Sequence, residues 1–133
     1  IQTITVTGKT LKQMMKNNIK IRLEKMSKGE GAELLHNSGL TYSYDSKKAN
    51  EGSDDFIVSM NVGRAEVSDE AMYTIATNNY VISQFKKFFG DISEPITPKE
   101  TGWNDRDLVI EVVKETGVIN NAVEKRVVDV SKQ

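Results

Sequence analysis

The stretch ITVTGKTLKQMMKNNIKIRLEKMSKG, Ile4 to Gly29, changes its hydrophobic period part-way through. Ile1, Ile4 and Val6 read as a short strand. From Leu11 onward the apolar residues Met14, Met15, Ile19, Leu23 and Met26 recur at steps of three and four, which defines one face of a helix. Thr7 and Gly8 stand at the change of period. A threonine there can cap the helix by accepting from a free N–H of its first turn, and Gly29 and Gly31 end it. Three methionines on the face also suit an adaptable binding groove. Core packing is the simpler reading, because a small domain needs those side chains inside.

Further along, NSGLTYSYD, Asn37 to Asp45, alternates Leu40, Tyr42 and Tyr44 with Thr41 and Ser43, the pattern of a half-buried strand. Ser38-Gly39 before it and DSKKANEGSDD after it supply turns. Phe56, Val58, Met60 and Val62 alternate again, EVSDEAM is turn-like, and MYTIATN gives a third strand of this series. NYVISQFKKFFGD suits one short helix ended by Gly90, and ISEPITPKETGW, with both prolines, reads as loop. Asn104 can cap a further helix whose stripe is Leu108, Val109, Val112 and Val113, with Gly117 as its terminator and VEKRVVDV as a closing strand. Adjacent strands interleaved with helices predict an α+β domain, a mixed β-sheet with helices packed against it.

Composition narrows the function. The 133 residues fit a single domain over 1-133, and 38% apolar with 28% charged residues describes a globular chain. Eighteen basic residues face 19 acidic ones, so no basic field favours nucleic acid. No apolar run approaches the roughly 18 residues of a membrane span. Cysteine is absent, which removes disulfides, thiolate metal sites and a cysteine nucleophile. The chain opens in mid-strand with IQTITV and no initiating Met, which suggests a fragment or a processed product.

Catalytic chemistry is hard to find. His36 is the only histidine, no nucleophile elbow accompanies it, and beside two leucines it reads as structural. A two-metal hydrolase needs several converging His and Asp ligands, and Asp54-Asp55 and Asp69-Glu70 read as solvated turns. GKT at Gly8–Thr10 lacks the upstream glycine of a phosphate loop. What remains is a set of aromatics near turns, including Tyr80, Phe85, Phe88, Phe89 and Trp103. A flat ring of this kind can stack on a nucleobase, worth about 1–3 kcal/mol per base, although a domain of this size also needs aromatics in its core.

Four segments carry a resemblance. ITVTGKTLKQMM resembles v-x-x-T-G-x-x-L-k-x-x-L, and SGLTYSYD resembles S-G-L-r-Y-t-Y-D. YTIATNNYV is similar to Y-x-V-A-T-N-d-Y-l, and DRDLVIEVVKETGVI is similar to D-R-d-a-l-i-e-y-l-k-e-x-G-x-I. All four belong, in this order, to the C-terminal domain of the family of 5'-nucleotidases, UDP-sugar hydrolases and 2',3'-cyclic-nucleotide phosphodiesterases, mostly periplasmic, extracellular or cell-surface proteins. The resemblance implies a segment that binds a nucleotide or nucleoside substrate and needs no cofactor of its own. Catalysis, with two divalent metal ions, is expected on an N-terminal metallophosphoesterase domain that this segment lacks, along with the start of its own domain.

Carried over by position, the resemblance puts Tyr80 at a base-stacking site, with Asn78 and Asn79 shaping its turn and offering amide contacts. The opposing aromatic falls on Leu34, which can cover a base but not stack on it. Where the family has a glycine-rich turn with a ligand-binding aspartate, this chain reads SQFKK, with Lys86 near the aspartate position. That exchange reverses both charge and hydrogen-bonding role. It leaves a second reading open: a non-catalytic interaction or structural module with a degenerate pocket.

Overall fold

The computed structural model describes residues 1–31 and 34–132. Strand β1 (Gln2–Thr7) runs directly into helix α1 (Gly8–Ser27), as the change of period predicts. Thr7 is extended, and its hydroxyl accepts from the Thr10 N–H. The helix closes where the Gly29 N–H reaches the Met26 carbonyl and the Glu30 N–H reaches back to Lys25. Gly29 takes φ +72°, the left-handed conformation that a helix end uses and glycine adopts without penalty.

The described strands form two sheets. In the first, β1 lies between β5 (Met72–Thr77) and β6 (Lys99–Glu100), antiparallel to both. The strand β6 lies inside the segment predicted as loop. Lys99 and Glu100 follow Pro98 and pair for only two residues with Thr3 and Gln2, too briefly to show as alternation. The second sheet has the order β4 (Ala65–Glu66), β3 (Ile57–Val62), β2 (Leu40–Tyr44), β7 (Val127–Asp129). The β2–β7 pairing is parallel and the others are antiparallel, so the sheet is mixed and the fold is α+β.

One contiguous core joins these parts. Ile4 and Val6 point inward from β1, and Leu11, Met14, Met15 and Ile19 from α1. Leu40, Tyr42 and Tyr44 meet them from β2, so the methionines and both tyrosines are core. The alternation read over Phe56–Val62 holds for Phe56 and Met60 but not for Val58 and Val62, which are exposed. A register shift between Ser43 and Tyr44 pairs Tyr44 with Ile57 and turns Val58 outward.

Helix α2 (Ser46–Asn50) is capped by Asp45 and follows β2. The predicted single helix after β5 is two, α3 (Asn79–Ser83) and α4 (Phe85–Phe89), broken at Gln84. Helix α5 (Asp105–Thr116) is capped by Asn104 and stopped by Gly117 as predicted. Its stripe is not buried, however: Val109 and Val112 are 61% and 54% exposed. The pattern identified a helix with an apolar side, and no described residue covers that side.

Candidate functional site

Strand β5 ends at Thr77, and the Asn78 side-chain carbonyl accepts from the Val81 N–H at 2.9 Å. That cap starts α3 at Asn79 and puts Tyr80 in its first turn, 55% exposed. The Tyr80 ring meets Phe88 edge to face, centroids 5.9 Å apart. Phe88 in turn neighbours Phe89, whose ring lies 4.8 Å from that of Phe85. Tyr80 is thereby braced by an aromatic cluster while much of the residue is open to solvent. Asn78 has committed its carbonyl to the cap, and Asn79 is exposed beside it.

Lys86 is engaged elsewhere. Its ammonium lies 2.7 Å from Asp91, and that hydrogen bond holds its pKa above the usual lysine value. Both partners are largely exposed, so the pair is a weak constraint.

Leu34 lies across α1, half-buried and packed on the core. It lines a cleft of about 600 Å³ with Arg22, His36 and Arg126 among others. Tyr80 lines neither this cleft nor a smaller one of about 250 Å³ formed by Asn18, Arg22, Lys25, Lys87 and Phe88. The five expected site residues therefore do not share one cavity. Asn78, Asn79 and Tyr80 form a cluster, Lys86 sits on α4, and Leu34 borders the larger cleft.

Asn18, which sequence reasoning did not single out, ties the two sides together. It is 4% exposed, donates to the Phe88 carbonyl at 3.1 Å and accepts from the Leu35 N–H at 3.4 Å. Asn17 adds a bond to the Phe89 carbonyl at 2.6 Å. The signal was present in the helix pattern: Asn18 stands three and four residues from Met15 and Met14, where the buried face asks for an apolar side chain. A polar residue persists there because it satisfies backbone groups of two neighbouring segments. On the other side of the fold, Glu94 accepts from the Thr7 N–H and from its hydroxyl at 2.8 Å, at the start of α1. Hydrogen bonds from Thr10 and Thr7 hold its carboxyl below the usual range. A negative charge is stabilised at that helix end.

Burial pushes the Tyr42 phenol up to about 12 and raises that of Tyr44, against the opposing charge of Arg22. Arg22 donates to the Tyr44 hydroxyl at 3.2 Å. The two phenols are framework, neutral at physiological pH. Among the described residues, no three of His, Asp or Glu converge to hold a metal ion. The described donors do not fit a two-metal centre.

The order β1–α1, SGL turn, β2 and then β5 into a capped aromatic helix is that of a known domain. The profile of 5'-nucleotidase, C-terminal domain, matches residues 1–91. The chain belongs to that family. Among solved structures it is similar to the 5'-nucleotidase precursor from Thermus thermophilus, with a TM-score of 0.74 and 20% identity over 96% of this chain. It is also similar to the NAD nucleotidase of Haemophilus influenzae, with a TM-score of 0.73, 20% identity and the same coverage. The chain spans only 25% and 24% of those proteins. No curated protein matches it significantly. Identity at this level speaks for the fold.

The family motifs now have physical content in this 5'-nucleotidase C-terminal domain. A Cβ on Gly8 would lie 1.9 Å from the Ser68 carbonyl oxygen, so the T-G step admits nothing larger than glycine. Gly39 has φ +76° immediately before Leu40 enters β2, which accounts for S-G-L. No described helix is long and apolar enough to cross a membrane.

Proposed function

We propose that this domain is the nucleotide-binding portion of a 5'-nucleotidase-like phosphohydrolase of nucleotide catabolism, exported to the periplasm, the cell surface or beyond. The observation that carries the reading is Tyr80: an aromatic ring 55% exposed, fixed by the Asn78 cap and braced by Phe88. A core tyrosine would be covered, as Tyr42 is. An exposed ring held in place by its neighbours suits stacking on a base. In this reading Tyr80 stacks and Asn79 and the Asn78 amide group donate to the base or sugar. Leu34 and Lys86 stand further out, as a wall and as a cation freed when Asp91 yields. Hydrolysis belongs to a metal-dependent N-terminal metallophosphoesterase domain carried on a longer polypeptide.

Titration with adenosine, followed by amide NMR shifts, tests the stacking role. Saturable shifts centred on residues 78–88 that vanish in Tyr80→Ala support it. Phosphate release from AMP by this chain with Mn²⁺ would contradict the division of labour.

The exposed stripe of α5 favours a second reading, a non-catalytic module that docks a protein partner. That reading requires nucleosides and nucleotides to produce no saturable change.

A further inference from the structure

The described sheets end on β4, β5, β6 and β7, and β5 differs from the rest. Strands β4 and β6 are two residues long and carry Glu66, Lys99 and Glu100, and β7 is three residues long and carries Asp129. Short length and charge guard a strand edge against pairing with a second chain. β5 has neither guard. Its six residues, Met72–Thr77, include no charge and no proline, and its pairing with β1 has no register shift.

The outward groups of β5 follow from its register. Residues of an antiparallel ladder alternate between pairs that exchange backbone bonds and pairs that do not. Just outside the ends of β1, the Ile1 carbonyl accepts from Thr101 on the β6 side, and the Gly8 N–H donates to Ala71 on the β5 side. Odd positions of β1 therefore turn their backbone groups toward β6 and even ones toward β5. Gln2, Ile4 and Val6 bond Thr77, Ile75 and Tyr73. Met72, Thr74 and Ala76 are left with N–H and C=O turned away from β1, and no described residue bonds those groups. Their side chains are exposed, whereas Tyr73 and Ile75 pack on the core. On the exposed face the Thr74 hydroxyl lies 3.2 Å from that of Thr5.

We propose that this edge pairs with β5 of a second copy of the chain, antiparallel across a two-fold axis at Thr74. The outward groups then exchange bonds in matched pairs, Thr74 with Thr74 of the partner subunit and Met72 with Ala76 of the partner subunit, and two sheets become one. A large side chain meets a small one, and two threonines meet at the axis and extend the Thr5–Thr74 row. Charge selects this sense of pairing. Antiparallel strands bring the acidic turn Asp69-Glu70 to the uncharged Asn78-Asn79 end of the other copy, whereas parallel strands would set two acidic turns side by side. β5 offers no charge to steer a charged peptide, and its own copy matches it in length, neutrality and side-chain size. A single edge of this length belongs with the small, transient interfaces below about 1,200 Å², so the dimer forms in a concentration-dependent way.

Sedimentation equilibrium of the full chain from about 1 µM to about 500 µM tests the pairing, with a monomer–dimer equilibrium expected. Thr74→Lys and Thr74→Glu each set like charges at the axis and are each expected to weaken association at least about tenfold. An equimolar mixture of the two variants is expected to restore it. Thr74 is exposed, so matching melting curves at low concentration show that the monomer fold is retained. Amide exchange of the unmodified chain supplies a second readout: Thr74 and Ala76 gain protection as concentration rises, while Tyr73 and Ile75 are protected throughout. A chain that stays monomeric over this range overturns the proposal. So does a dimer that both Thr74 variants retain, because it forms through another surface. Failure of the mixed variants to associate overturns the axis at Thr74.

Discussion

Replacing Gly8 by alanine sets a methyl group against backbone that cannot swing aside. The new Cβ would lie 1.9 Å from the Ser68 carbonyl oxygen and 2.8 Å from its carbon, with the Tyr73 ring at 3.0 Å. To reach ordinary contact the Ser68 peptide must retreat by more than about an ångström. Two backbone bonds resist that movement, Gly8 N–H to the Ala71 carbonyl at 2.8 Å and Lys9 N–H to the Asp69 carbonyl at 3.1 Å. Overpacking of this kind costs about 1–3 kcal/mol, and each strained or broken backbone bond adds about 1 kcal/mol. The total, about 3–5 kcal/mol, is a large share of the 5–15 kcal/mol typical of a domain. Urea unfolding followed by circular dichroism reads it directly. Gly31→Ala is the control, since no atom lies within 4 Å of its Cβ position, and a shift within about 0.5 kcal/mol is expected. If Gly8→Ala shifts stability by less than about 1 kcal/mol, the close approach of the two chains is misjudged, and with it the reason for the T-G step.

Asn18→Ala should cost about 2–4 kcal/mol, because it strands the Phe88 carbonyl and the Leu35 N–H. Chemical denaturation measures the loss, and amide NMR should show shifts on both the Leu35 and Phe88 segments. Tyr42 should titrate near pH 12 by ultraviolet absorbance. The unfolded phenol releases its proton near pH 10, so stability is full below pH 10 and falls by about 2–3 kcal/mol as pH rises to 12. Tyr42→Phe should flatten that part of the pH–stability curve. On α5, Val112→Lys should change stability by less than about 0.5 kcal/mol in thermal unfolding of this chain. A larger loss would mean that the stripe is covered.

Legibility in the sequence tracked how local the cause was. The strand-to-helix passage at Thr7, the Asn104 cap and the Gly117 stop are decided within a few residues, and the structure has each of them. Where a distant partner decides, the pattern misled. Val58 faces outward because it is the extra, unpaired residue of β3 opposite Ser43 and Tyr44 of β2, and Lys99–Glu100 become a strand only because β1 offers an edge. The α5 stripe shows the limit of periodicity: it states which side of a helix is apolar and not what, if anything, lies against it. The site divides in the same way. Tyr80 was singled out by the family resemblance, and the capping role of Asn78 beside it was not read. The amides of Asn17 and Asn18 were visible only as polar interruptions of a buried face, and the two clefts beside α1 were not visible at all. Their lining residues are scattered from Asn18 to Val127 and meet only when the chain has folded.

The parallel pairing of β7 with β2 has a consequence for how the protein matures on the ribosome. Val127–Asp129 lies beside Tyr42–Tyr44, and Asp129 receives the Ser46 N–H across 83 positions of sequence. Chains emerge at about 5–20 residues per second. For several seconds after Leu40–Tyr44 has left the exit tunnel, that flank of the sheet therefore waits without its neighbour. During that interval the tyrosine strand offers unpaired peptide groups to any other nascent chain nearby. Arrival of the last strand ends that window of vulnerability to misassembly.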